Sequence, residues 1–291
     1  MLEEVQKCPV CSGTVFKNFL TTLDYSVSHE TFKLVQCNSC KLIATSPRPE
    51  HSNIGKYYES PKYISHNSKS RSIQDIVYKM VRKITIRSKI SLIENKTKRG
   101  TILDIGCGTG SLIQALNKRG WKTFGVEPSN IAASQIAPEI QVVPHLQDLK
   151  LKADVITLWH VLEHVHNLSE TMEQIKERLT THGTLYIAVP NIESYDSKHY
   201  HEYWAALDVP RHLWHFTRQT MTQLLHTHGF KKISIRTMPW DSYYVSLLSE
   251  QYKSPNKPYL LRAISALGTG IASNKRGGKN NTSSILYIAQ Q

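Results

Sequence analysis

The sequence predicts an α/β protein: a seven-stranded, mostly parallel sheet with helices on both faces, preceded by a small ribbon held by four cysteines. Three observations carry this expectation. Short apolar, strand-like runs alternate with helical periodicities from Thr101 to the C-terminus. A glycine-rich turn follows the first of those runs and opens a helix. Two Cys-x-x-Cys pairs stand ahead of them all.

The ribbon is expected over residues 1–46. Cys8-Pro-Val-Cys11 and Cys37-Asn-Ser-Cys40 are separated by 25 residues, within which Thr14–Leu20 and Phe32–Gln36 read as strands. Two thiolates at i and i+3 in a tight turn can face one ion, and two such turns close a tetrahedron, the layout of a structural Zn2+ site. Duplicated knuckles favour a metal over a redox pair. So small a unit has little core, and the metal would supply roughly 10–16 kcal/mol of its stability, as in zinc-finger peptides.

Charge is concentrated in the same region. The 291-residue chain carries +13, and residues 1–100 hold 17 Lys and Arg against 8 Asp and Glu. Such a surface could attract nucleic acid, although a solvated basic face is the ordinary reading. Met1–Val10 has no apolar signal region, and the longest apolar run, Pro258–Ala272, contains Arg262 and is too short to span a membrane. A cytoplasmic protein is expected.

Residues 47–98 read as a connector and helices. Pro47–Ser70 is turn-rich, with Tyr57, Tyr58 and Tyr63, and suits a linker or a lid. Ile73, Ile76, Val77, Met80, Val81 and Ile84 then repeat at helical spacing among Lys79, Arg82, Lys83 and Arg87, and a second helical stretch covers Lys89–Lys96.

Residues 99–291 form the main domain. Ile102, Leu103 and Ile105 make the first strand, glycines follow at 106, 108 and 110, and Leu112, Ile113 and Leu116 mark the next helix. The spacing is G-x-G-x-G, not the dinucleotide G-x-G-x-x-G. Asp104, two residues before the first glycine, suits a cationic group better than a phosphate, and S-adenosylmethionine has an amine, a sulfonium and no phosphate. The second strand, Thr123–Val126, ends at Glu127, placed to accept hydrogen bonds from ribose hydroxyls. Further strands are read at Gln141–Val143, Asp154–Trp159, Leu185–Val189, Ile233–Met238 and Ser284–Ala289. Helices are read at Ile131–Ile136, from an Asn167 cap to Leu179 with Gly183 as its stop, and from a Thr217 cap to His228 with Gly229 as its stop.

Asp104-Ile-Gly106-Cys-Gly108-Thr-Gly110 resembles motif I of the class I S-adenosylmethionine-dependent methyltransferases. The resemblance covers about residues 100–238 and implies a Rossmann-like methyltransferase sheet whose last two strands form an antiparallel hairpin. It implies S-adenosyl-L-methionine as cofactor, held by Asp104, Gly106, Gly108, Gly110 and Glu127, with Asp148 on the adenine amino group and the Leu149 N–H on a ring nitrogen. His160-Val-Leu-Glu163-His164 resembles motif IV of the ubiquinone-pathway O-methyltransferases, whose E-x-x-E-H can hold a divalent ion. Here His160 replaces the first Glu, and bonds from Glu163 and His164 to local backbone are the alternative. The ribbon ahead of such a core also resembles sugar C-methyltransferases and a group of ribosomal RNA guanine methyltransferases, but the long C-terminal domain of the sugar enzymes is absent.

Methyl transfer needs alignment and a base. Histidine suits the base, and the candidates are His160, His212 and His215. His212 and His215 fall in the His-, Tyr- and Trp-rich loop 192–216, where Tyr203 and Trp204 could stack on a flat or sugar-like acceptor and Arg211 would hold His212 neutral. Residues 239–281, between the last two strands, would stand over the substrate end or supply a homodimer surface. The expected partner is a small-molecule acceptor, quinone-, phenol- or sugar-like. The alternatives are an RNA acceptor bound by ribbon and basic helix, or a binding protein that has lost turnover. An NAD oxidoreductase is disfavoured by the glycine spacing.

Overall fold

The computed structural model describes residues 1–58, 73–276 and 281–291, with backbone only for 73–83. Tyr63 and the rest of the 59–70 half of the expected lid lie outside the described residues. The strands are β1 (Leu2–Glu3), β2 (Phe16–Leu23), β3 (Thr31–Cys37), β4 (Ile43–Thr45) and β5 (Arg48–Pro49), then β6 (Thr101–Ile105), β7 (Lys122–Val126), β8 (Gln141–Val143), β9 (Ala153–Trp159) and β10 (Leu179–Pro190), then β11 (Trp214–His215), β12 (Lys232–Thr237) and β13 (Ser284–Gln290).

The main sheet runs β12-β13-β10-β9-β6-β7-β8. β6 to β10 are parallel where they pair, and β13 lies antiparallel between β10 and β12. Its strands are apolar runs because helices cover both faces. One face buries Leu103, Ile156 and Ile187 against Met172 and Ile175 of the helix Leu168–Arg178 and Met221 and Leu224 of the helix Arg218–Thr227. The other buries Ile102, Val155 and Tyr186 against Ile90 and Ile93 of the helix Ile73–Glu94 and Leu112 and Leu116 of the helix Ser111–Asn117. Alternation along each strand assigns the residues to the two faces.

Several elements differ from the expectation. The two helical stretches before β6 are one helix, Ile73–Glu94. The helix expected over Ile131–Ile136 contracts to Asn130–Ala133. The helix after Asn167 stops at Arg178 and the chain passes straight into β10, because Leu179 pairs with Ala153 of β9. Gly183 therefore lies within a strand, where a Cβ would stand 2.7 Å from the Leu179 side chain. The loop 192–216 contains a short helix, Tyr195–Tyr200, and the strand β11. In the insertion, the two helical stretches that the sequence shows at Tyr243–Tyr252 and Tyr259–Leu267 are present and longer, as Pro239–Lys253 and Tyr259–Arg276, packed on each other and against Tyr195–Tyr200.

The ribbon sheet runs β11-β4-β3-β2, all antiparallel. Its fourth strand thus comes from residues 214–215, and the boundary expected at residue 46 is crossed by this pairing. Cys8, Val10, Leu42 and Ala44 share one buried cluster with Leu213, Trp214 and the strands of the main sheet.

Candidate active site

The two cysteine knuckles have the same hydrogen bonds. Cys8 and Cys37 N–H groups donate to Gly13 and Leu42 carbonyls, and Ser12 and Lys41 N–H groups donate back to Cys8 and Cys37 carbonyls. Ser12 and Lys41 take left-handed backbone, φ 61° and 71°. All four sulfurs lie within 4.8 Å of one another, with Cys8–Cys40 at 3.4 Å and Cys11–Cys37 at 3.5 Å. A tetrahedral zinc with Zn–S bonds near 2.3 Å needs sulfurs about 3.8 Å apart, so the cradle fits that ion and is too wide for disulfides. Gly13 lines it, and a Cβ there would stand 3.3 Å from the Cys11 and Cys37 sulfurs. Without an ion the thiols differ: burial pushes Cys8 up and takes Cys40 to about 11, whereas at Cys37 the Cys40 and Ser39 N–H groups outweigh burial and bring the pKa down to about 7.

The glycine loop sits at the carboxyl ends of β6 and β7. Gly106 and Cys107 N–H groups both donate to the Val126 carbonyl, which folds the chain back sharply. Gly106 has φ 68°, and a Cβ there would lie 2.4 Å from Val161. Glu127 accepts the Gly108 N–H at 2.8 Å and the Ser129 N–H at 2.9 Å, tying the second strand's acid to the loop. Asp104 is buried beneath the loop and accepts a hydrogen bond from Thr157 of β9. Burial raises its pKa to about 6, against the pull of Thr157 and of Lys89. Asp148 is exposed beside β8, and the Leu149 N–H donates within its own turn to Leu146.

The candidate histidines divide into distinct environments. His160, at the end of β9 with φ 59°, stands between Asp241 (3.0 Å) and Glu163 (3.3 Å). Burial works to lower its pKa, but the two carboxylates outweigh that and raise it to about 10. The ring is thus an imidazolium, without a lone pair to take a proton. His215 is buried at the ribbon seam with Nε2 3.1 Å from Thr45 Oγ1, and burial brings its pKa to about 3. His212 meets His164 edge to face, ring centroids 4.6 Å apart. The Nδ1 of His212 donates to the Ala206 carbonyl at 2.9 Å, and that of His164 lies 3.0 Å from the Arg211 carbonyl. Carbonyls only accept, so the His212 ring carries its proton on Nδ1, while the His164 Nδ1 also lies 3.0 Å from the Tyr58 hydroxyl, which can donate to it or accept from it. Burial, reinforced by His212, lowers the His164 pKa to about 4.

Glu163 is completely buried, and its one close polar neighbour among the described side chains is the His160 Nδ1, 3.3 Å from Oε1 and out of line for a well-formed hydrogen bond. Burial alone would keep it protonated, but the His160 ion pair outweighs burial and holds it below its ordinary range. An oxygen of Glu163 and one ring nitrogen each from His164 and His212 lie within 4.8 Å of one another. This set could hold a divalent cation, and the same lone pairs could accept a proton. Of the alternative read from sequence, His164 bonds a backbone carbonyl, but one 47 residues away, while Glu163 bonds none.

Arg211 does not serve His212 as expected. Its buried guanidinium donates to Asp24 of the ribbon and to Asp208, both at 2.8 Å, and to the Tyr57 carbonyl at 2.9 Å. Thr45 donates its N–H to the Leu213 carbonyl and its hydroxyl to the His212 carbonyl, while the Leu213 N–H donates to the Glu163 carbonyl at 2.8 Å. The segment 208–215 is therefore clamped between the ribbon and the end of β9. Trp204 is buried with its N–H on Asp196, so it offers no open stacking face. Asp241, Asp24 and Lys89, which lies over the Trp159 ring at 4.2 Å, join the site from outside the motifs. Only Asp241 had a sequence signal, as an acid in the insertion expected over the substrate end.

Residues 79–235 match the family model described as a methyltransferase domain. Ubiquinone biosynthesis O-methyltransferase of Bradyrhizobium diazoefficiens is 28% identical over 103 residues, a match covering 31% of this chain and 40% of that relative. A SAM-dependent methyltransferase from Archaeoglobus fulgidus superposes with a TM-score of 0.50 at 18% identity, covering 72% of this chain and 94% of that one. Phosphoethanolamine N-methyltransferase 2 of Haemonchus contortus, solved with S-adenosyl-L-methionine, gives 0.51 at 12% identity, covering 95% and 68%. At these identities the structural likeness concerns the fold.

Proposed function

Since the chain belongs to the class I S-adenosylmethionine-dependent methyltransferases, we propose that it methylates a small molecule, quinone-, phenol- or sugar-like, at the carboxyl end of the sheet, beside the glycine loop and the segment 208–215. One observation carries this reading: the imidazoles of His164 and His212, each with Nδ1 at a backbone carbonyl, gather with the buried Glu163 carboxylate where Val161 packs on the glycine loop. The ribbon forms the back wall of that segment and spends Thr45 and Asp24 on it, which favours a structural role over capture of RNA.

S-adenosylmethionine supplies a methyl already activated by the sulfonium charge. Asp104 would hold its amine, Glu127 its ribose and Asp148 its adenine, over the glycines 106, 108 and 110. His212 or His164 takes the acceptor proton through Nε2 as the new bond forms. The His160 imidazolium, fixed by Asp241 and Glu163, keeps Glu163 ionised and adds a positive charge beside the acceptor. The four cysteines Cys8, Cys11, Cys37 and Cys40 would hold one structural zinc.

The test is transfer of labelled methyl groups into a fractionated cell extract. Label is expected in small molecules. Label confined to RNA would instead carry the second reading, which the basic first hundred residues support. With the acceptor in hand, His212→Gln and His164→Gln should leave S-adenosylhomocysteine affinity unchanged. At least one should lower the rate by roughly 10²–10⁴-fold, the usual share of a general base. Turnover within a few-fold of wild type in both would remove the pair from the chemistry.

A further inference from the structure

The helices Pro239–Lys253 and Tyr259–Arg276 are built inside out. The side chains they bury are small or polar: Ser242, Ser246 and Ser249 on the first, Ala266, Thr269, Gly270 and Ser273 on the second. Gly270 lies so close to Tyr243 that a Cβ would stand 2.6 Å from the ring. On the second helix the large apolar side chains face outward. Leu260, Ile264, Leu267 and Ile271 follow at steps of four, three and four, one stripe of the helix, and are 39–69% exposed. Leu261 flanks the stripe, and Trp240 and Tyr244 are exposed on the partner helix. A surface helix of a globular protein normally shows the reverse order. Small residues between helices and large apolar ones outside are the pattern of helices packed in lipid.

The charge around this face has one sign. Residues 251–291 contain six Lys and Arg and no Asp or Glu, and Lys253, Lys275 and Arg276 are exposed. The two acids of the first helix are spent inside, Asp241 on His160 and Glu250 on Tyr200. A second copy of the chain would bring the same cations to the contact, whereas anionic headgroups complement them. Among the described residues no helix is long and apolar enough to cross a membrane.

We propose that this face docks on an anionic lipid bilayer, with Tyr259–Arg276 lying along the headgroup boundary and Leu260, Ile264, Leu267 and Ile271 entering the acyl region. Trp240 and Tyr244 have the amphipathic rings that favour that depth. The face adjoins the active site, since Asp241 follows Trp240 and reaches His160. The inference stands whichever acceptor is methylated.

The test is flotation of the full chain with vesicles of phosphatidylcholine, alone or with one-third phosphatidylglycerol. Binding is expected to the anionic vesicles and to be at least about tenfold weaker to the neutral ones. Joint replacement Leu260→Ser, Ile264→Ser and Leu267→Ser should weaken it by at least about tenfold while S-adenosylhomocysteine affinity is retained, which shows the variant folded. Brominated lipid should quench tryptophan emission in the wild type and less in Trp240→Phe. Absence of flotation, or a triple variant that floats like wild type, would overturn the proposal. So would a dimer in sedimentation that the same substitutions dissolve, since a second copy would then own the face.

Discussion

Asp104 is the buried acid proposed to hold the cofactor amine. Its carboxylate is buried under the glycine loop, and its pKa rises from the ordinary 3.8 to about 6 because burial outweighs Thr157 and Lys89. An acid whose pKa is higher in the folded state binds its proton more tightly there. Protonation below about 6 thus favours the fold, and ionisation on the way to neutral pH costs stability. A cationic amine at that carboxylate would offset the cost and draw the pKa down. Affinity for S-adenosylhomocysteine, titrated by calorimetry, should therefore be level above pH 7 and fall as pH drops through 6 toward 5. Asp104→Asn should bind weakly and with a flatter profile over that range. A wild-type affinity independent of pH from 5 to 8 would separate Asp104 from the amine.

At the scale of elements, the segment 208–215 is the joint of the molecule. Its local features were legible: the Thr217 cap that follows it forms a reciprocal capping box with Thr220, and Gly229 ends that helix at φ 86°. Its long-range partners were not. Spacing set Arg211 beside His212, but the guanidinium turns to Asp24, 187 residues earlier in the chain. No periodicity encodes such a pair, because it arises only when β4 accepts β11 as a neighbour. The Asp24 side chain also accepts the N–H groups of Ser26, Val27 and Ser28, so its charge stays in place if Arg211 is removed. Arg211→Met should then cost about 3–5 kcal/mol in denaturant unfolding, the range for stranding one member of a buried ion pair. A loss below about 1 kcal/mol would mean that the backbone pairing alone holds the segment.

Over the whole molecule, the main sheet was readable because each of its units is local. A strand, a turn and a helix fit within about thirty residues, and the glycines and acids proposed to hold the cofactor belong to those turns. Cys8, Cys11, Cys37 and Cys40 were readable for the same reason. The interleaving of ribbon and sheet was not, since β11 is two residues long and carries no strand signal of its own. Nor was the pairing of His164 with His212, which depends on that interleaving; position in the chain pointed to His160, His212 and His215, and the rings of the first and last turn to Asp241 and to Thr45. The cysteine ribbon and the sheet are joined into one unit, with Thr45, Leu213 and Glu163 as the line between them. Hydrogen exchange of the full chain, with and without a zinc chelator, tests it most directly. Exchange is expected to rise in residues 8–45 and, together with them, in 208–217, while β6 and β9 stay protected. A rise confined to 8–45, with 208–217 as protected as before, would contradict the claim.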